Sequence, residues 1–500
     1  MQYDDDYERR RSYIARKREE RKRQRTVRII IFLLVLGAIA LVLGIGGWFY
    51  FQHKKNGTSP EGSLAQSQEN EEAGSASSGG EQPGGELSQT DSSGGNSSGT
   101  GAGSAEETGL EALLSRAQAL ADTYDYDGAI ALLQASEEYK EDPQVLEAIA
   151  SCEETKTALV KADISSIPHV FFHSIIMDNA KAFDGDADTN GYNQVMTTKK
   201  EFLAILEQMY ERGYVLVRLH DLAHVETDEN GNEKMTAGEI LLPPGKKPFV
   251  MSQDDVCYYE YMDGDGFASR IVVGEDGKPT CEMKLDDGTV SVGSYDLVPL
   301  LEDFIKKHPD FSYKGARAVI ALTGYQGVFG YRTDPTYQDS NPTFEADLES
   351  AKKVAQCLRD NGWELASHSW GHINYNSRSA EDVITDAEKW EDRVESLIGE
   401  TDVILYPFGA DINDWHPYSH DNAKYDALYN MGFRYFCNVD SSRSWVQLGT
   451  DYLRQGRRNL DGYRMYYDLP ETNPSKTYLD DLFDVSTVFD RERPTPVPPM

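Results

Sequence analysis

Positive charge is scarce in this sequence: 49 Lys and Arg stand against 84 Asp and Glu in 500 residues, a formal net charge of -35. Polyphosphate affinity comes from Lys and Arg displacing counterions, so a chain this acidic would mostly repel nucleic acid. Cysteine is also sparse, with five residues at 152, 257, 281, 357 and 437. The odd number leaves at least one thiol free or paired between chains, and a Cys257–Cys281 bridge is open. Long apolar runs are nearly missing. A hydrophobic content of 39% excludes a polytopic membrane protein, and the length allows about three domains at roughly 150 residues each.

One apolar run does exist, the 23 uncharged residues Ile29 to Phe51. As a helix they reach about 35 Å, enough for a hydrocarbon core of about 30 Å. A cleaved signal peptide would have a shorter apolar region and a small-residue cleavage site, whereas Trp48, Phe49 and Tyr50 form an interfacial aromatic cluster. Residues 1–28 hold eleven Lys/Arg and six Asp/Glu, a local charge of 11 - 6 = +5. Under the positive-inside rule this basic arm is cytoplasmic, residues 29–51 are a single-pass transmembrane helix in the cell membrane, and the rest lies outside, on a bacterial cell surface. Residues 52–108 read as a disordered linker: from Asn56 to Thr108 there are 12 Gly, 12 Ser and no aromatic residue, too little apolar surface to offset the entropy of ordering.

Beyond the linker the pattern turns helical. Leu110, Leu113, Leu114, Ala117 and Leu120 repeat at helical spacing, Ile130, Leu132 and Leu133 resume after Gly128, and Asp142-Pro143 starts a third helix. Residues 109–161 are thus expected to form a small all-α, tetratricopeptide-like module, either a spacer or a partner-binding unit. Residues 162–489 alternate strands with helices. Strands are predicted at 168–173, 214–217, 248–254, 318–323, 363–368, 403–408 and 433–440, and helices at 295–307, 344–360, 380–398 and 422–431, besides one from the capping box of Thr198 and Glu201 to near Gly213. Seven strands in this order predict an α/β fold, a distorted seven-stranded (β/α) barrel, with a hairpin insertion over 270–293. Residues 490–500 read as an extended Pro-rich tail.

Such barrels place their chemistry at the C-terminal ends of the strands. Polar residues collect there: His173 after the first strand, Asp254-Asp255 after the third, His368 and His372 after the fifth, and Tyr406-Pro407-Phe408-Gly409 after the sixth. Two imidazoles at i and i+4 can converge on one ion, and a carboxylate completes a facial set that leaves positions for water and substrate. Adjacent carboxylates at the end of the apolar run Phe249-Val250-Met251 repel one another unless a cation or strong donor compensates. Together these features favour a metal hydrolase.

With these residues the chain from about 168 to 445 resembles the polysaccharide deacetylases of the NodB-homology type, carbohydrate esterase family four. The first motif of the family appears as Ser252-Gln253-Asp254-Asp255 and the second as His368-Ser369-Trp370-Gly371-His372. The resemblance implies a distorted seven-stranded barrel, with Asp255, His368 and His372 as ligands to a divalent metal, commonly zinc, and Asp254 as general base. The third motif maps to Leu405-Tyr406-Pro407-Phe408, where the arginine that usually orients the base is missing. The fourth maps either to Asn438–Trp445 or to Asp411–Trp415. No histidine lies beyond His420, and the permuted branch similar to poly-N-acetylglucosamine deacetylases places its acid histidine at the start, which implies His173 as the general acid, with His416 and His420 as fallbacks. Tyr406 and the backbone N–H of Phe408 are the expected substrate or oxyanion contacts.

The implied function is removal of N-acetyl groups from a hexosamine polysaccharide, such as peptidoglycan or a poly-N-acetylglucosamine-like polymer. The alternatives are an O-acetyl polysaccharide esterase, a glycan-binding protein on a decayed enzyme fold, or a scaffold built on the helical module. The run Asp184, Asp186, Asp188, Asn190, Gly191 resembles a calcium loop but lacks the closing Glu, and reads as a substrate-side loop.

Overall fold

The computed structural model describes residues 109–500 except Asn230, Trp415 and Lys476. The expected basic arm, transmembrane helix and linker, residues 1–28, 29–51 and 52–108, lie outside the described residues. Among the described residues no helix is long and apolar enough to cross a membrane.

Three helices open the described chain: α1 (Gly109–Asp122), α2 (Tyr126–Gln134) and α3 (Pro143–Thr157). Leu113, Ala117, Ala129, Leu133 and Val145 form their shared core. Asp125 and Asp142 cap α2 and α3, each carboxylate accepting from a backbone N–H in the first turn. The module docks on the barrel through Tyr124, whose hydroxyl donates to the Asp310 carbonyl at 2.7 Å, and through the Lys314 N–H on the Thr123 carbonyl.

Seven parallel strands close the barrel: β1 (His169–Phe172), β2 (Lys247–Gln253), β3 (Val319–Leu322), β4 (Glu364–Ser367), β5 (Val403–Leu405), β6 (Tyr435–Val439) and β7 (Leu453–Asn459). They pair in chain order, and β7 pairs back on β1 through Arg457↔His169, Arg458↔Val170 and Asn459↔Phe171. Side chains alternate faces along each strand. Val170, Phe172, Met251, Ile320, Leu365, Ile404 and Phe436 join the larger apolar cluster shared with the helices, while Val250, Val319, Ala321, Ala366, Val403, Leu405, Cys437 and Leu453 form a second cluster.

The strand count of seven agrees with expectation, but one member differs. Among the barrel strands Tyr214–Leu216 pairs with the first half of β2 alone, and the ring closes past it because the second half of β2 pairs with β3 at Ser252↔Val319 and Gln253↔Ile320. The seventh place belongs to β7, whose sequence Leu-Arg-Gln-Gly-Arg-Arg-Asn has no apolar alternation to announce it. Gln455 is buried against His169 of β1, and Arg457 against Ser252 of β2 and Asp254 just after it.

Local signals hold elsewhere. The capping box of Thr198 and Glu201 is complete and starts α5 (Lys199–Glu211), which follows α4 (Thr189–Val195). The helix predicted over 295–307 is α6 (Leu297–Lys307), and the next, α7, spans Phe344–Asp360 as predicted. The stretch 380–398 is not one α-helix: α8 (Ala380–Trp390) passes into a π-helical turn at Glu391–Glu395 before Gly399 ends it at φ +85°. Then α9 (Ala423–Met431) stops at Gly432 in the left-handed region. The insertion over 270–293 is a three-stranded antiparallel sheet turning at Gly277 and Gly288, both at positive φ. Cys257 and Cys281 are both buried and both free, so no bridge closes the insertion.

Candidate active site

The ring sets its polar residues at one rim, where each strand delivers a side chain as it leaves the sheet. His173 follows β1, Asp254 and Asp255 follow β2, and His368 follows β4. His372 is brought back by a tight loop whose Trp370 and Gly371 N–H groups donate to the Asp386 carboxylate of α8 at 2.8 and 3.0 Å. Asp255, Ser369, His372 and Phe408 all have φ between 49° and 59°, the left-handed region that side chains with a Cβ avoid. Backbone strain is concentrated where these side chains converge.

Asp255, His368 and His372 present ligand atoms that all lie within 4.8 Å of one another. The His368 Nε2 is 3.9 Å from Asp255 Oδ1, and the His372 Nε2 is 3.7 Å from Asp255 Oδ2. The His368 Nδ1–H donates to the Leu405 carbonyl at 2.7 Å, which fixes the tautomer and turns the Nε2 lone pair toward the carboxylates. Tyr259 donates its hydroxyl to Asp255 Oδ1 at 2.7 Å. Burial pushes the Asp255 carboxyl up, but the facing His372, His368 and His173 outweigh it and hold the group below its ordinary value. Burial lowers His368 against the pull of Asp254 and Asp255, favouring the neutral imidazole that a ligand must be. Three converging donors with a fixed tautomer and an outer shell of hydrogen bonds fit a divalent cation.

Asp254 sits beside this cluster, 2% exposed, with its Oδ2 3.9 Å from the His368 Nε2. Its Oδ1 accepts from the Arg457 Nη1 at 2.6 Å. Burial alone would raise this carboxyl, yet the Arg457 guanidinium keeps it well below the usual carboxylate range. The third motif has no arginine, and the guanidinium beside Asp254 comes instead from β7, the strand that apolar periodicity missed. A polar line leads away from it through the barrel: Arg457 also donates to the Ser252 hydroxyl at 3.2 Å, Ser252 lies 2.9 Å from His169 Nε2, and His169 Nδ1 lies 3.0 Å from the Gln455 side-chain carbonyl. Because that carbonyl only accepts, His169 carries its proton on Nδ1 and takes one from Ser252 on Nε2. Burial, with Arg457 nearby, pushes His169 down to about 3, so it is neutral.

His173 stands with its Nε2 4.0 Å from Asp255 Oδ2 and its Nδ1–H on the Val195 carbonyl at 3.1 Å. Asp461, buried just after β7, also feels its charge. Phe408 is 67% exposed with its ring 4.6 Å from that of His372. Tyr406 is not in the cluster: its ring is buried against Phe436 and Tyr375 and its hydroxyl faces Tyr418, because the strand alternation turns it outward. His416 is exposed, and His420 is held between Asp426 and Asp451. Of the two fourth-motif assignments, Trp445 bonds back to Asp440 at 3.0 Å, and Asp411 pairs with buried Arg454. The acidic run at 184–191 starts a helix: Asp186 caps the N–H groups of Asp188 and Thr189, Asn190 and Gly191 are already inside α4, and Asp186 and Asp188 present carboxylate oxygens within 4.8 Å of each other and of Asp265.

Residues 336–435 match the family model described as polysaccharide deacetylase. The chain carries a polysaccharide deacetylase domain. With it comes the class of deacetylases. The match spans His368 and His372 but stops short of β7, and it begins after Asp254 and Asp255, so closure of the barrel is what brings residues on both sides of it to the two histidines. The Streptococcus pyogenes deacetylase PplD, solved in complex with acetate, is similar at 14% identity over 63% of this chain and 96% of its own, with a TM-score of 0.34. The BpsB deacetylase domain from Bordetella bronchiseptica is similar at 11% identity over 60% of this chain and 97% of its own, with a TM-score of 0.32. No curated protein matches the sequence.

Proposed function

We propose that the protein removes N-acetyl groups from a hexosamine polysaccharide outside the cell, held at the membrane by residues 29–51, and that Asp255, His368 and His372 hold a divalent cation, most simply zinc. The convergence of these three side chains beside Asp254 and His173 is the observation that carries this reading. A cation there supplies Lewis acidity toward the acetyl carbonyl and lowers the pKa of water. Asp254 keeps one oxygen on Arg457 and offers the other to take the proton of the attacking water. The Phe408 N–H serves the tetrahedral oxyanion. His173 gives a proton to the sugar nitrogen as the carbon–nitrogen bond breaks, so acetate and a free amine result. An amide anion leaves poorly, which is why the acid matters more here than for an ester.

Arg457 answers one motive for the alternative reading as a decayed glycan binder, the missing arginine, because a guanidinium stands beside Asp254; the irregular fourth motif stays as the other. The test is acetate release by the full-length chain from acetylated chito-oligosaccharide and from peptidoglycan, with and without chelator. Zinc binding without acetate release from any such glycan would overturn the catalytic reading, and release from O-acetylated glycan alone would convert it to an esterase.

A further inference from the structure

We infer that the C-terminal segment is a positioning strap for the acid, with Arg493 acting on His173 through residues 193–196. This rests on the reading of His173 as the proton donor. The extended Pro-rich tail is bound along α4 and beside Tyr467: the Asn193 side chain donates to the Pro494 carbonyl at 2.7 Å, Gln194 donates to the Pro499 carbonyl at 2.8 Å, Tyr467 donates to the Val497 carbonyl at 3.0 Å, and Val497 is fully buried.

Arg493 is the anchor. Its side chain and that of Glu201 are both fully buried, joined by Nε to Oε1 at 2.7 Å and Nη2 to Oε2 at 2.6 Å. The remaining donors go to one short segment, Nη2 to the Met196 carbonyl at 2.6 Å and Nη1 to the backbone carbonyl and the side-chain Oδ1 of Asn193, each at 3.2 Å. A planar guanidinium with its fork saturated in this way fixes the groups it touches in direction as well as distance. Between those two carbonyls lies that of Val195, the acceptor for His173 Nδ1–H. From the other side the Gly462 N–H donates to the Met196 carbonyl, and a Cβ at Gly462 would come within 2.5 Å of Arg493 Nη1 and 2.2 Å of the Asn193 carbonyl.

The consequence is a division of labour. The Val195 carbonyl holds the proton on Nδ1, so the Nε2 edge faces the reaction. If the 193–196 segment drifts, the ring can rotate or change tautomer, and transfer to a leaving nitrogen suffers while the water-activating side is untouched. Arg493 touches no reacting atom, so it is a positioning residue.

The test compares two substrates in the full-length chain. An acetylated chito-oligosaccharide needs a proton on its leaving amine; 4-nitrophenyl acetate does not, because nitrophenolate leaves as a stable anion. Arg493→Gln and the gentler Asn193→Ala are expected to lower amide hydrolysis about tenfold or more while ester hydrolysis stays within about twofold. Nitrogen-15 NMR of histidine-labelled protein should show His173 as the Nδ1–H tautomer in the parent and as a mixture in both variants. If amide and ester rates fall together, or neither falls, or the tautomer is unchanged, the strap is overturned. His173→Ala separates the two levels: loss confined to the amide substrate in that variant, with no selectivity in Arg493→Gln or Asn193→Ala, overturns the strap alone, whereas no selectivity in His173→Ala overturns the acid assignment beneath it. Should Arg493→Gln fail to fold, Asn193→Ala decides.

Discussion

Asp254 meets two opposing demands. Burial favours its neutral form, and Arg457 imposes the charged one, so at neutral pH the group is a carboxylate whose free oxygen faces the cluster. Asp254→Asn keeps the shape but cannot take a proton, and should lower the acetate-release rate by about 10²- to 10⁴-fold with little change in melting temperature. Arg457→Gln acts differently. It leaves Asp254 without its cation in a fully buried place, a change that costs about 3–5 kcal/mol when one member of a buried pair is removed. Denaturant titration should register that loss along with lower activity. A variant that lost activity at unchanged stability would show that Arg457 does not hold the Asp254 charge. Asp254, Asp255, His368 and His372 were legible from residue type and spacing, because strand ends and an i, i+4 histidine pair are local signals. Arg457 was not, since its meaning lies in a partner 203 residues away.

At the level of elements, the loop from His368 to His372 depends on α8. Asp386 receives two backbone N–H bonds from that loop although burial raises its carboxyl. Asp386→Ala should free the loop, let the strained φ of Ser369 and His372 relax, and weaken metal affinity about 10- to 100-fold, as loss of an outer-shell partner typically does. A zinc titration against a competing chelator measures it, and unchanged affinity would dissociate the loop from α8. Element boundaries followed capping chemistry closely where a cap was present, as at Thr198, Asn422 and Gly432. The break in α8 at the π-helical turn had no such signal, since no Pro or Gly marks it.

Across the whole molecule, the end of the barrel opposite the site is stapled by charge. His220 bonds Glu364 through Nδ1 and Asp402 through Nε2, the latter at 2.9 Å, tying a turn to the starts of β4 and β5. Burial would lower this imidazole, but the two carboxylates outweigh it and push it up to about 10. A folded value above the unfolded one means the contribution is complete below about pH 6.5 and is lost as pH rises through about 10. The denaturation midpoint of the parent should therefore exceed that of His220→Gln at pH 6 and approach it near pH 10.5; a pH-independent difference would refute the assignment. Zinc at saturating concentration should also raise the melting temperature of the parent but not of His368→Ala, because a ligand that binds only the folded chain stabilises it by mass action.

Residue chemistry and local periodicity were enough to determine an alternating α/β chain, six of the seven barrel strands, most helix ends, and the gathering of Asp254, Asp255, His368 and His372 at strand ends. Each depends on neighbours a few residues apart, where side-chain period and capping geometry act directly. Tertiary closure decided the rest. It replaced the apolar strand Tyr214–Leu216 with the polar β7, brought Arg457 to Asp254, turned Tyr406 away from the site, left Cys257 and Cys281 unbridged, and bound the tail along α4. For β7 and Arg457 the physical reason is that a buried polar group is stable only with its partner, and these partners become neighbours only when the seventh strand returns to the first.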